Sequence, residues 1–217
     1  MTGDVQASRQ QVEHFRRAHR RTAGSRGAPR LEWAPTLTER HVRNCRLFPR
    51  REEPLALLPQ GSVGAELGVE TGYFSAQILE RVDPRALHLI DCDLSRIQYD
   101  RFPIRSAIDA GKVTLHQGNS SDALQHFGDA FFDWLYIDAD HSYEGVRRDI
   151  AQSVRVVKPD GVFVFNDYTQ YSPLEGIGYG VMKAVNELCL AHDFELIALG
   201  LQGLGYFDVA IKRFPPP

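Results

Sequence analysis

From residue 61 onward, short apolar runs alternate with stretches in which apolar positions recur every three or four residues. The runs "SVGAELG" (62–68), "ALHLIDCD" (86–93), "KVTLHQG" (112–118), "FDWLYID" (132–138) and "GVFVFND" (161–167) predict strands. Those at the centre are continuous rather than alternating, the pattern of strands buried on both faces. Helices are predicted over 71–82, near 121–127, over 143–157 and over 179–192. In the third, Val146, Ile150, Val154 and Val157 fall on one face before "KPDG" stops the helix. Strands that alternate with helices predict a parallel sheet covered on both sides. Two last strands, "FELIALG" (194–200) and "GYFDVAIKR" (205–213), are separated by little more than "LQGL". That connection can make a hairpin but not a parallel crossover, so the final strand is expected to run antiparallel. The expected fold is α/β: a Rossmann-like, doubly wound sheet of seven strands, mostly parallel, with the last antiparallel.

The first 60 residues follow another pattern. A helix is predicted near 7–21, then a breaker "AGSRGAP" (23–29), then a second helical stretch near 36–47. "LFPRREEPLALLPQGS" leads inward through three prolines. Two units are therefore expected: a basic N-terminal helical arm with its lead-in (1–60) and a main domain (61–217). Charge sharpens this division. The chain's net charge is only −3, yet residues 1–51 hold twelve arginines against four acids. The arm is expected to pack on its own acidic body or on a second copy, giving a homo-oligomer. Nucleic acid or another acidic partner is the alternative, and sparse aromatic interleaving argues against it. No run of 18 apolar residues predicts a membrane span, and no secretory stretch opens the chain. Three cysteines without CxxC pairing indicate neither a zinc site nor a disulfide framework. A reduced, cytoplasmic setting is expected.

Candidate chemistry gathers where strands end. "GAELGVETGYF" puts Glu66, Gly68 and Gly72 at the turn from the first main-domain strand into its helix. In open α/β sheets, ligands bind outside these carboxyl ends. A dinucleotide fingerprint starting at Gly68 would need glycines where Glu70 and Tyr73 stand. A pyrophosphate would meet the Glu70 carboxylate, whereas a cationic ligand is favoured by Glu66 and Glu70. This argues against a nicotinamide oxidoreductase. Asp91, ending the next strand, can accept both hydroxyls of a ribose, with Asp93 as understudy. Asn119 and Ser120, after the third strand, are placed either to reach an adenine edge or to cap the short helix that follows.

The motifs "AELGVETGYFS", "LIDCD", "GNSSDAL", "LYIDADHSYEGV" and "VKPDGVFVFNDY" resemble those of class I S-adenosylmethionine-dependent methyltransferases over roughly residues 60–170. The resemblance implies a seven-stranded fold with an antiparallel last strand, in agreement with the hairpin argument. It also implies S-adenosylmethionine as cofactor, with Glu66, Gly68 and Gly72 at the methionine part and Asp91 at the ribose. Glu70, Tyr73, Asn119, Ser120 and Asp138 complete the expected cofactor contacts. A sulfonium is positive, so Glu66 and Glu70 suit it electrostatically.

Strands 132–138 and 161–167, if adjacent and parallel, would bring Asp138, Asn166 and Asp167 to one rim. Two carboxylates and an amide suit a hard cation such as Mg²⁺ or another divalent ion. This set resembles that of metal-dependent O-methyltransferases of the catechol and caffeoyl-coenzyme A type, although the Asn166-Asp167 pair is reversed here. "DADHSYEGV" is closer to a bacterial group that includes macrolide-sugar O-methyltransferases. His141 stands where catechol-type relatives carry a basic lysine, as a general base for the substrate hydroxyl or as a packing residue. Asp140 is a further ligand, a helix cap or a substrate contact. The loop "YTQYSPLEGIGYG" (168–180) is a candidate substrate wall. The expected activity is metal-assisted methylation of a hydroxylated small molecule, a phenol or a sugar. The alternatives are a metal-independent methyltransferase and a non-catalytic cofactor-binding module whose basic arm docks an acidic partner.

Overall fold

The alternation of apolar runs and helical stretches folds into one eight-stranded sheet with helices on both faces. The computed structural model describes residues 33–215. The helix expected near 7–21 and the breaker at 23–29 lie outside these residues. The described chain opens with α1 (Glu39–Val42) and β1 (Arg46–Phe48), then a 3-10 turn at Glu53–Leu57. β2 (Val63–Leu67), α2 (Tyr73–Arg81), β3 (Ala86–Asp91), α3 (Ile104–Asp109), β4 (Val113–Gln117) and α4 (Ser120–Leu124) follow. The second half holds β5 (Phe132–Ile137), α5 (Tyr143–Val156), β6 (Val157–Phe165), a small hairpin β7 (Tyr171–Ser172) with β8 (Ile177–Gly178), α6 (Val181–His192), β9 (Phe194–Leu201) and β10 (Phe207–Arg213).

The order across the main sheet is β1-β9-β10-β6-β5-β2-β3-β4. All seven expected strands form, and β10 runs antiparallel to both β9 and β6. The eighth strand corrects the sequence reading. The helical stretch expected over 36–47 shrinks to α1, and Arg46–Phe48 pairs parallel to β9 instead, with Arg46 opposite Ala198 and Phe48 opposite Gly200. A three-residue edge strand draws its stability from a partner 152 residues away in sequence, Arg46 against Ala198, which local periodicity does not report.

Alternation along the central strands builds two cores. Ala65, Leu67, Leu135, Ile137, Phe163 and Phe165 face one side, where Val146 and Val156 of α5 and Val185 of α6 cover them. Leu87, Leu89, Trp134, Tyr136, Val162 and Val164 face the other, under Phe74 and Ile78 of α2 and Ile104 of α3. Burial on both faces explains why these strands read as unbroken apolar runs. No helix among the described residues is long and apolar enough to cross a membrane.

The sheet winds one way through β2, β3 and β4 and the other way through β5 and β6. The direction of winding changes between β2 and β5, so a cleft opens at their carboxyl ends.

Candidate active site

Parallel pairing fixes which polar residues share the rim. Ile137 of β5 lies opposite Phe165 of β6, and Leu67 of β2 opposite Ile137, so the residues just beyond these positions emerge side by side. The Asp138 amide donates to the Leu67 carbonyl at 2.7 Å, and the Asn166 amide to the Ile137 carbonyl at 3.0 Å. Above them lies a cavity of about 820 Å³. Every site residue expected from the sequence lines it: Glu66, Gly68, Glu70, Tyr73, Asp91, Asn119, Ser120, Asp138, His141, Asn166 and Asp167, with Gly72 as the one exception. Gly72 instead starts α2 in a left-handed conformation, φ 81°.

Gly68 is where backbone must come close. Its φ is 84°, and a Cβ there would lie 1.9 Å from the Asp138 carbonyl oxygen. Only glycine lets β2 turn out against β5 at this point. Glu70 and Asp167, both at turns leaving strands, hold the same left-handed backbone region without being glycine, with φ of 50° and 53°. Such conformations cost free energy and concentrate at functional sites.

The end of the cleft near β3 is organised by backbone. Asp91 Oδ2 accepts from the amides of Val69 at 2.6 Å and Glu70 at 3.0 Å, and Oδ1 from Asp93 at 2.8 Å. Burial alone would raise the Asp91 pKa, but these amides outweigh it and hold the carboxyl below its usual range. Glu70 pairs with Arg96 at 2.7 Å on the exposed rim. Tyr73, nearly half exposed, donates from its hydroxyl to Glu52 at 3.2 Å. Asn119 Oδ1 accepts from the amide and the hydroxyl of Ser121, which makes it the N-cap of α4. Ser120 donates its hydroxyl to Asp149 at 2.5 Å. These side-chain atoms are thus engaged in holding α4, as the capping alternative expects.

The other end is buried and short of donors. Glu66 is 1% exposed and takes its one side-chain hydrogen bond from the Ser75 hydroxyl. Burial pushes its pKa up to about 8, which favours protonated Glu66 at neutral pH. Asp138 Oδ1 lies 3.3 Å from His141 Nε2, and Asp167 Oδ2 lies 3.6 Å from the same nitrogen. That Nε2 is buried and closes no hydrogen bond among the described residues. Burial alone would lower the His141 pKa; Asp138 and Asp167 outweigh it and raise it above the usual value. Burial also lifts Asp167 to about 6, against the pull of His141. The Tyr179 ring stacks on the imidazole at 4.7 Å and 8°, and the Gly180 amide donates to the His141 carbonyl at 2.8 Å. The 168–180 loop therefore holds His141 in place from above.

Two participants escape sequence reasoning. Arg51, from the proline-rich lead-in, donates to the Tyr136 hydroxyl and stands 3.5 Å from Asp138 Oδ2. Asp208, fully buried in β10, accepts from Tyr136 at 2.6 Å, Asn166 Nδ2 at 2.9 Å and Gln202 at 2.5 Å. Burial raises its pKa to about 6 although Arg51, Tyr136 and Asn166 oppose the shift. A carboxylate inside the apolar run "GYFDVAIKR" is the signal that could have found it; Arg51 sits in no periodic pattern at all.

The donors suit a divalent cation by chemistry more than by present arrangement. Among the described residues, no three His, Cys, Asp or Glu side chains already stand as a coordination set. Asp138 and Asp167 nevertheless bring hard oxygen donors together around an unsatisfied imidazole nitrogen. With Nδ2 of Asn166 held by Asp208, its carbonyl oxygen is the atom left to offer a cation.

Residues 65–168 match a family model described as a methyltransferase domain. Among solved structures, the chain is similar to the O-methyltransferase TomG from Streptomyces achromogenes, involved in tomaymycin synthesis and solved with SAM. The match has 19% identity, 75% of this chain, 79% of that one and a TM-score of 0.55. The 1,6-didemethyltoxoflavin-N1-methyltransferase of Burkholderia thailandensis, solved with S-adenosylhomocysteine, matches at 17% identity, 76% and 79% coverage and TM-score 0.54. Spermidine synthase from Thermotoga maritima matches at 17% identity over 73% of this chain, TM-score 0.53, and the chain spans only 55% of that protein. These identities establish a shared fold. A search of curated proteins found no match.

Proposed function

We propose that this chain is a class I S-adenosylmethionine-dependent methyltransferase, a reading its matched domain and its fold support, and that it methylates a hydroxyl of a small molecule, a phenol or a sugar, with help from a divalent cation. The observation that carries this reading is the convergence of Asp138 and Asp167, from two neighbouring strand ends, on one buried imidazole nitrogen. When bound, S-adenosylmethionine supplies an electrophilic methyl on a sulfonium. A divalent ion, held by Asp138, Asp167 and the Asn166 carbonyl oxygen, would stabilise negative charge on the attacking oxygen.

The chain's own residues do the rest. Asp91 and the amides of Val69 and Glu70 set the shape of the adenosine end, with Asn119 and Ser120 beside it. Glu66, Gly68 and Glu70 line the path of the sulfonium and amino-acid part, with Gly72 and Tyr73 at the start of α2 behind it. His141 receives the hydroxyl proton at Nε2. Asp138 and Asp167 raise its pKa and so favour the charged ring, and added positive charge between them would favour its basic form. The stacked Tyr179 keeps the ring from swinging away. Alignment of oxygen and methyl then provides most of the acceleration.

A second reading needs no ion. Arg51 stands 3.5 Å from Asp138, so a fixed positive charge of the chain itself neighbours that acid, and the His141 ring lies between both carboxylates. Turnover of a panel of phenols and glycosides, measured after chelation and after Mg²⁺ is restored, separates the two. Loss and recovery support the metal-assisted reading; indifference to chelator replaces it with the second.

A further inference from the structure

Arg51 is built into the cleft more firmly than a surface arginine needs to be. Its guanidinium lies 4.5 Å above the Phe74 ring and donates from Nη2 to the Tyr136 hydroxyl. Tyr136 passes its own proton donation to Asp208, which Asn166 and Gln202 also fix. The lead-in reaches this place because Gly200 of β9 has no side chain; a Cβ there would meet the Arg51 Cα at 3.0 Å. Burial opposes a charge at this depth, but Tyr136, Asp208 and Asp138 outweigh it and keep the guanidinium charged.

Its hydrogen bonds are nonetheless undersubscribed. Among the described residues they run from Nη2 alone, and the one to Asp138 is long at 3.5 Å. Nε is walled in without a bond, 3.6 Å from Asp208. Among the described residues no hydrogen bond from Nη1 is formed, which leaves it available to the cavity that Arg51 lines. Two other basic groups line that cavity besides Arg51. Arg96 is committed to Glu70 near the Asp91 end, and His141 sits between Asp138 and Asp167. Arg51 is the fixed cation beside Glu66, Gly68 and Phe74.

We infer that Arg51 is an anion-binding residue of the cofactor subsite, and that it takes the α-carboxylate of the amino-acid end of S-adenosylmethionine. Asp208 acts as its positioning residue through Tyr136. This rests on the cofactor reading above and deepens it. The amino-acid end is a zwitterion, and the cleft offers both signs: carboxylates of Glu66 and Asp138 for the ammonium and sulfonium, one arginine for the carboxylate. A ligand carboxylate would also relieve a guanidinium that is charged, half-buried and, among the described residues, under-bonded.

The test compares S-adenosylmethionine with its decarboxylated analogue by calorimetry, since the two differ at the carboxylate. The unmodified protein should bind S-adenosylmethionine at least about tenfold more tightly, the worth of one charge-assisted hydrogen bond. Arg51→Gln should erase that preference while leaving affinity for the analogue nearly unchanged, and Arg51→Lys should restore part of it. Equal weakening toward both ligands, or no preference in the unmodified protein, would overturn the assignment. The latter comparison needs no variant, so it decides even if Arg51→Gln fails to fold. Binding of neither ligand would instead overturn the cofactor reading itself.

Discussion

The two ends of the cleft treat their carboxylates in opposite ways. At the β3 end, three backbone amides surround Asp91 and hold its pKa low, so it is charged and shaped before any ligand arrives. At the other end, Glu66 of β2 is buried and Asp167, just beyond β6, is half-buried, both with few donors, and their pKa values rise to about 8 and about 6. One end is preorganised by the backbone; the other waits for positive charge. Amide donors can satisfy a group that must hydrogen-bond a neutral sugar, because the carboxylate keeps spare lone pairs. A sulfonium or a metal ion needs the reverse, namely acids that few protein donors already neutralise.

The hardest test of this contrast removes the deep acids. Asp138→Asn and Asp167→Asn keep size and hydrogen bonding but lose the charge. Each should reduce turnover at least about 100-fold, the usual loss on removing a group that stabilises reacting charge. Cofactor affinity, read by calorimetry, should change far less in Asp167→Asn than turnover does. Full Mg²⁺-stimulated rates in both variants would mean that the deep end is no cation site.

The preorganised end should fail in a different way. Asp91→Ala frees the amides of Val69 and Glu70 and, on the proposed reading, removes the acceptor for ribose hydroxyls. Cofactor affinity should fall about 10- to 100-fold, as expected for two or more lost hydrogen bonds to a charged group. Turnover at saturating cofactor should remain within a few-fold of the original. A turnover loss as deep as that of Asp167→Asn would erase the distinction between the ends.

Much of this architecture was legible because its causes are local. Seven strands announced themselves as apolar runs, and a four-residue connection dictated the antiparallel β10. Asp138 and Asp167 could be singled out because polar residues that end buried strands must reach a rim, and parallel pairing puts adjacent ends together. What stayed hidden depends on partners distant in sequence. β1 is three residues long and is defined by β9. Arg51 reaches the cleft through a close passage over Gly200, which leaves no trace in the lead-in. Asp208 carried a signal, an acid within an apolar strand, but its meaning depends on Tyr136, Asn166 and Gln202 arriving from elsewhere. Asn119 and Ser120 could be read two ways because a cap and a ligand contact demand the same residue types.

Titration sharpens the comparison further. Glu66 has its pKa raised from 4.5 to about 8 by burial, so folding opposes its ionisation. Stability from this group is full below pH 4.5 and is lost as pH rises toward about 8. A cationic ligand reverses the preference, because it binds the ionised form. Cofactor affinity should therefore increase from pH 6 to pH 8.5, with proton release visible as a buffer-dependent heat. In Glu66→Gln both the rise and the proton release should shrink, and overall affinity at pH 8.5 should fall about tenfold. An unchanged pH profile would remove Glu66 from the ligand's surroundings.

The smallest effect concerns a buried acid outside the cleft. Asp149 of α5 is 2% exposed, accepts from the Ser120 hydroxyl, and is pushed up to about 6 by burial. Like Glu66, it is a desolvated carboxylate with one side-chain donor, yet it does not line the cavity. Its raised pKa means that the folded state loses stability as pH climbs from 3.8 to about 6 and stays penalised above that. Asp149→Asn keeps an acceptor for Ser120 and removes the buried charge. At pH 7.5 it should gain about 1–2 kcal/mol, a rise of a few degrees in Tm for a chain of this size. At pH 4 the gain should nearly vanish, since Asp149 is then protonated already. Cofactor affinity and its pH dependence should be unaltered, because no ligand cation repays this charge. A matching loss of affinity would show that burial alone does not separate the acids that await a ligand from those that only support the fold.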